Sequence, residues 1–387
     1  MSARRTALLF ALSGFGLSAL PAPAAAQQPE PAPRWDFTYT PYGYYSSIDG
    51  WWLAGFVRYY SPIGFQERPE PNRAAITLSA GASTKGSYQM ELDTQAPAWW
   101  DGWRVGFGLF VGRANRLGYF GIGNDTRYEP DSVTSETPYF YRVSHTSRFA
   151  RLTIQRRLAG PLRALAGGTL EHTTFRTLPS DGLFPRDRAA GVVDSEPFDD
   201  ASIRAGLVAD KRDNEIDPHT GFLAEGLYAV GQQYNRATVG LQGYLHPFER
   251  LMLAGRLIGE RMRGSPGLSV QQTIESSGRP YIGLGGYRSL RGYHDARFTG
   301  PSKLLGGLEV RYALLYAPTI LEVKLVGFYD TGRVFGPGED FRLTTDGLHS
   351  SGGGELMIRL GRNGVVVVGG GFGEDGGQFL LASLWSY

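Results

Sequence analysis

From Trp35 to its C-terminus the chain contains several segments of about ten residues whose polarity alternates with period two, the length and pattern of a membrane-crossing strand. In Val105-Gly-Phe-Gly-Leu-Phe-Val-Gly112 the odd positions 105, 107, 109 and 111 are Val, Phe, Leu and Val. In Leu308-Glu-Val-Arg-Tyr-Ala-Leu-Leu-Tyr316 the even positions are Leu308, Val310, Tyr312, Leu314 and Tyr316, while Glu309 and Arg311 point the other way. Residues 355–360 set Leu356, Ile358 and Leu360 against Glu355 and Arg359, and the last nine residues put Phe379, Leu381, Trp385 and Tyr387 on one face. A soluble sandwich with one wet face alternates in the same way. Two features argue against it: apolar faces end in aromatics opposite charged faces, and the chain stops on an aromatic strand end. Aromatics also cluster, at Tyr42, Tyr44 and Tyr45, Trp51 and Trp52, Tyr59 and Tyr60, and Trp99 and Trp100. Clusters at strand ends suit the interfacial girdles of a membrane barrel.

The N-terminus fits export. Two arginines, a short apolar run broken by Ser13, Gly14 and Gly16, and small residues at Ala24 and Ala26 describe a secretory signal peptide over residues 1–26. Gln27 to Arg34 reads as a Pro-rich linker and residues 35–387 as the barrel. The chain has no cysteine, which excludes a disulfide-built secreted domain. A net charge of +2 with no long basic run gives no argument for a nucleic-acid partner, and none is expected. With 54 Gly, 21 Tyr and 21 Phe, strands and turns dominate. The expected fold is therefore all-β: a single antiparallel transmembrane β-barrel of about 16 strands in a bacterial outer membrane, with lipid as one partner.

Counting back from an inward-running last strand, about residues 365–372 run outward, 350–361 inward, 319–330 outward and 303–315 inward. Residues 331–349 and the segment from about 260 to 302 then form outer loops. In residues 319–330 the lipid-facing set is Leu321, Val323, Leu325 and Tyr329, which leaves Glu322, Lys324, Phe328 and Asp330 in the lumen. The long outer loop contains Ser289-Leu-Arg-Gly-Tyr293, and Gly283, Gly285, Gly286 and Gly292 allow it to fold back into the lumen. There Arg291 could pair with Asp330 in bidentate fashion; a solvated loop arginine accounts for the residues equally well.

Ser289-Leu-Arg-Gly-Tyr293 followed by Gly300-Pro301, and Phe328-Tyr-Asp-Thr-Gly332, resemble the two marker motifs of the BamA/TamA family of outer-membrane barrels. The resemblance implies a loop latch of Arg291, Gly292 and Tyr293 on Phe328, Asp330 and Gly332. Asp210-Lys-Arg-Asp-Asn214 with Asp217-Pro218 and Gly221-Phe222 resembles that family's periplasmic turn, which marks Asp210, Arg212, Asp213, Asn214, Pro218 and Gly221. Tyr119-Phe-Gly-Ile-Gly-Asn-Asp-Thr126 resembles a segment of its stand-alone members, and Trp385 and Tyr387 resemble a C-terminal assembly signal in which phenylalanine is commoner at the end. By resemblance the chain would help unfolded outer-membrane or secreted proteins insert or cross. Members with that role carry soluble POTRA domains before the barrel, and residues 27–34 leave no room for one. A passive channel or structural barrel is the alternative, and charged lumen residues such as Glu309, Arg311, Glu322, Lys324, Glu355 and Arg359 suit either.

No enzyme chemistry stands out. The six histidines show no metal-ligand spacing, there is no Gly-x-Ser-x-Gly, and no lysine follows a glycine as a phosphate-binding loop requires. His294 and Asp295 have no nucleophile placed beside them by sequence. Neither metal nor cofactor is expected. Residues 186–200 mix charge with Gly and Pro and read as a solvated outer loop.

Overall fold

The structure, a computed structural model, describes residues 34–46, 48–63, 68–194, 197–317 and 320–382. The expected signal peptide (1–26), nearly all of the linker, and Trp385 and Tyr387 lie outside the described residues.

Sixteen strands form one antiparallel sheet in which each pairs with its neighbours in chain order. The first eight are β1 (Asp36–Ser46), β2 (Gly50–Pro62), β3 (Asn72–Ser83), β4 (Tyr88–Trp100), β5 (Trp103–Gly118), β6 (Arg142–Ala159), β7 (Leu162–Arg176) and β8 (Phe198–Asp210). They continue with β9 (Gly221–Val230), β10 (Tyr234–Phe248) and β11 (Leu251–Gly264). Two short strands, β12 (Thr273–Ile274) and β13 (Tyr281–Ile282), make a separate hairpin inside the following loop. The wall resumes with β14 (Ser302–Ala317), β15 (Leu321–Phe335), β16 (His349–Leu360), β17 (Gly364–Gly373) and β18 (Gly376–Ala382). The architecture is the expected antiparallel transmembrane barrel. Among the described residues no ladder joins β1 to β18.

Polarity is inverted relative to a soluble protein because the outer solvent is hydrocarbon. Leu308, Leu325, Tyr329, Phe379 and Leu381 are exposed on the outside. Glu309, Arg311, Glu322, Lys324, Asp330 and Glu355 are buried inside. Only alternate members of the aromatic doublets join the outer girdle, because neighbouring strand residues face opposite sides. Trp51 is exposed outside, whereas Trp52 lines the lumen.

The four longest connections, residues 119–141, 177–197, 265–301 and 336–348, all leave one rim, called outer below; links such as 101–102, 160–161 and 249–250 lie at the opposite, inner rim. Three sequence expectations need correction. β11 runs on to Gly264, where it still pairs with Tyr234, so the long loop begins later than residue 260. β15 continues past Asp330 to Phe335 because β14 pairs with it as far as Ser302. Residues 186–200 are not simply a solvated loop. They include most of helix α1 (Leu183–Ala189) and the start of β8, and Phe184 and Val193 are buried with Tyr119, Val143, Phe175 and Leu268 in an apolar cap.

Candidate functional site

The loop 265–301 lies in the lumen rather than in solvent. Ile274, Leu284, Leu290, Tyr293 and Phe298 form an apolar core with the wall residues Ile258, Leu305 and Val334. At residue 292 only glycine fits: a Cβ there would collide with the backbone of Phe372 and Gly373 on β17. This close approach drives the preceding side chain, Arg291, between strands β14, β15 and β16.

Arg291 is fully buried. Its Nε donates to Asp330 Oδ2 at 2.7 Å and its Nη2 to Asp330 Oδ1 at 3.0 Å, a two-point fork on one carboxylate. Nη1 donates to Glu309 Oε1 at 2.6 Å and lies 3.5 Å from both oxygens of Glu355. The guanidinium carbon sits 3.7 Å from the centre of the Phe328 ring, a cation–π contact on the fourth side. A second arginine shares the catch: Arg256 Nη2 donates to Asp330 Oδ1 at 3.3 Å, and Arg256 also donates to the carbonyls of Arg288 and Ser289 in the loop. Tyr293, also buried, donates to the Ser350 carbonyl at 3.2 Å and accepts from the Glu374 amide at 3.2 Å. Gly332 lets Leu284 and the Leu304 carbonyl approach β15.

The turn 211–220 approaches the lumen from the inner rim. Asp210 grips Arg212 at 2.9 and 2.8 Å. Asp213 accepts from the amides of His219 and Thr220 at 3.0 and 3.1 Å, and Asn214 from those of Ile216 and Asp217 at 2.8 and 3.2 Å, so two short side chains close the turn on itself. Gly221, at φ 100°, leaves the turn with its backbone against Lys211. The tip is held by the wall. Lys324 Nζ donates to Asp217 at 2.6 Å, Arg359 Nε to the same carboxylate at 3.0 Å, and Arg311 to the Pro218 carbonyl at 3.2 Å. Glu215 forks with Arg104 across the lumen at 2.6 and 2.7 Å.

Sequence spacing did not reveal that Asp217, His219 and Glu322 bring ligand-type atoms within 4.8 Å of one another. The middle of that cluster holds an ammonium group: Lys324 Nζ is 2.6 Å from Asp217, 2.8 Å from Glu322 and 2.9 Å from His219 Nε2. The lysine occupies the position a divalent ion would need.

The two latches are joined through buried contacts. Glu309 takes Arg291 on one oxygen and Arg311 on the other, at 2.6 and 2.7 Å, and Arg311 holds Pro218. The segment 119–126 closes the outer end. Asn124 bonds Gly347, the Val334 amide and His349, Gly123 bonds Thr299, and Arg297 bonds Thr126 at 2.8 Å. His294 stacks on Phe120 in this cap. On the opposite wall the lumen keeps a cavity of about 1270 Å³, bordered by charged residues such as Glu91, Asp93, Arg151, Glu171 and Arg279.

Residues 71–365 match the model of the Omp85 superfamily domain. No curated protein sequence matches the chain. Among solved structures, BamA from Haemophilus ducreyi lacking POTRA domains 1–3 is similar at 12% identity and a TM-score of 0.54, over 90% of this chain and 68% of that one. CdiB from Escherichia coli is similar at 12% identity and a TM-score of 0.55, over 92% of this chain and 61% of that one. At such identities the likeness concerns the barrel fold. The family match, spanning most of the barrel and both latched motifs, means that this chain belongs to the Omp85 superfamily.

Proposed function

We propose that the protein is a bacterial outer-membrane barrel that assists insertion of unfolded proteins into the outer membrane or their passage across it, without catalytic chemistry of its own. The observation that carries this reading is membership of the Omp85 superfamily over residues 71–365. The buried Arg291 fork supports it by holding the long loop against β14 to β16, where it leaves a lumen occupied on one side and open on the other. Fold alone does not specify activity, so the test is direct. The purified barrel is reconstituted in liposomes, an unfolded outer-membrane protein is added, and the folding rate is compared with that in empty liposomes. Acceleration that is lost in Arg291→Glu is the expected outcome. The lumen cavity favours a second reading, a passive channel or structural barrel. Steady ion conductance with no acceleration of the client would select it.

A further inference from the structure

The lipid-facing side of β5 to β8 carries a depression of about 540 Å³, within the range of about 300–1,000 Å³ typical of small-ligand sites. Its lipid-facing side chains below Arg148 are apolar. Leu109 and Val111 on β5 and Leu170 on β7 flank Ala150 on β6, which is too small to fill the space between them, and the small Ala201 lies beyond Leu170 on β8. At its outer end stand Arg148 and His172, in register with each other and with Val111 and Asp199. His172 Nδ1 lies 2.7 Å from Asp199, so that carboxylate already has a partner. Arg148 is exposed and makes no hydrogen bond or ion pair among the described residues.

The height of Arg148 is informative. Below it on β6 the outward residues are Ala150, Leu152 and Ile154, followed by Arg156, whose guanidinium stacks 4.9 Å over Trp103. Eight strand residues at about 3.3 Å each, tilted by about 40°, span roughly 20 Å of depth, close to the apolar band of an outer-membrane barrel. Arg156 with its aromatic partner therefore marks one interface and Arg148 the other. A cation at the edge of hydrocarbon is costly unless an anion meets it. Among the described residues Arg148 has no ion pair, and the carboxylate in its cross-strand row, Asp199, is held by His172 at 2.7 Å.

We propose that this depression seats one phosphorylated glycolipid of the outer leaflet, with a phosphate on the Arg148 guanidinium and acyl chains along the floor between Leu109 and Leu170. The inference rests on the outer-membrane reading above. Such a lipid combines the two chemistries that the site offers, a phosphate acceptor for a planar fork of donors and alkyl chains for an apolar trough. The bound lipid would fix the lipid annulus on the β5 to β8 side of the barrel.

The test is native mass spectrometry of the full barrel, released from micelles containing lipid A, dephosphorylated lipid A or inorganic phosphate. The wild type should retain one lipid A, little of the dephosphorylated form and no phosphate alone. Arg148→Gln should lower retention about tenfold, as expected for one lost charge-assisted contact. Ala150→Trp, which fills the trough from the lipid side, should lower it as well. Equal retention by wild type and both variants, or equal retention of both lipid forms, overturns the proposal. Each protein is first checked for the heat-sensitive electrophoretic shift of a folded barrel in lipid vesicles. A wild type that inserts but shows no lipid A preference refutes the site alone, whereas a wild type that never inserts refutes the outer-membrane reading.

Discussion

At the scale of single residues, Arg291 differs from an ordinary buried ion-pair partner in the number of its catches. Asp330 takes two of its donors, Glu309 a third, and Glu355 lies at 3.5 Å. A glutamate in its place would be a fourth carboxylate in a buried pocket, and breaking a buried pair typically costs about 3–5 kcal/mol. Arg291→Glu should therefore lower the urea midpoint of unfolding strongly. The charge-reversed double variant with Asp330→Arg should recover only a small part of the loss, because residue 330 would then face Arg256 while residue 291 still faced Glu309 and Glu355. Full recovery would mean that Asp330 alone holds the arginine.

At the scale of elements, the turn 211–220 is a short connection made rigid by its own side chains and then clamped by four wall cations, Arg104, Arg311, Lys324 and Arg359. Burial pushes the Asp217 carboxyl up, but the Lys324 ammonium and the His219 contact outweigh burial and hold it well below the usual carboxylate range. A carboxyl whose pKa falls on folding stabilises the fold above its unfolded value, near about 4, and that contribution disappears as the pH drops. The urea midpoint should decline as the pH is lowered from about 5 toward 3. Asp217→Asn should start from a lower midpoint at neutral pH and show a shallower decline. Equal acid sensitivity in the two proteins would place the loss elsewhere.

At the scale of the molecule, the outer loop and the inner turn are linked along one wall through Arg291, Glu309, Arg311 and Pro218. Buried polar chains of this kind lose more than one contact when a middle member is removed. Arg311→Met should raise hydrogen exchange in both residues 283–295 and residues 211–220. Arg297→Met, which disturbs the outer cap, should affect the region around Thr126 and leave the turn unchanged. A response of the turn alone to Arg311→Met would show that the two latches are independent.

Much of this was legible in the chain. The alternation in residues 308–314 and 321–329 predicts which side chains face lipid, and Leu308, Leu325 and Tyr329 are exposed there as that pattern requires. Past Leu314 it fails, because a bulge between Ala313 and Leu315 turns Leu315 outward and sets Tyr316, expected on the lipid face, beside His219. Arg291 and Asp330 stood out as a candidate pair, but nothing local distinguished Glu309 and Glu355 from other lumen charges. The aromatic doublets suit an interfacial girdle, but a strand turns neighbouring residues to opposite faces, so Trp51 faces outward and Trp52 the lumen. The cluster of Asp217, His219, Glu322 and Lys324 left no trace in spacing, because its members come from a turn and a strand about a hundred residues apart. Strand, face and turn are readable from the chain alone, since period-two polarity and glycine conformation act between near neighbours. Which buried charges meet depends on the folded barrel. Arg359 reaches Asp217 across 142 residues, and such contacts exist only once the curved wall brings distant strands and the infolded loop around one lumen.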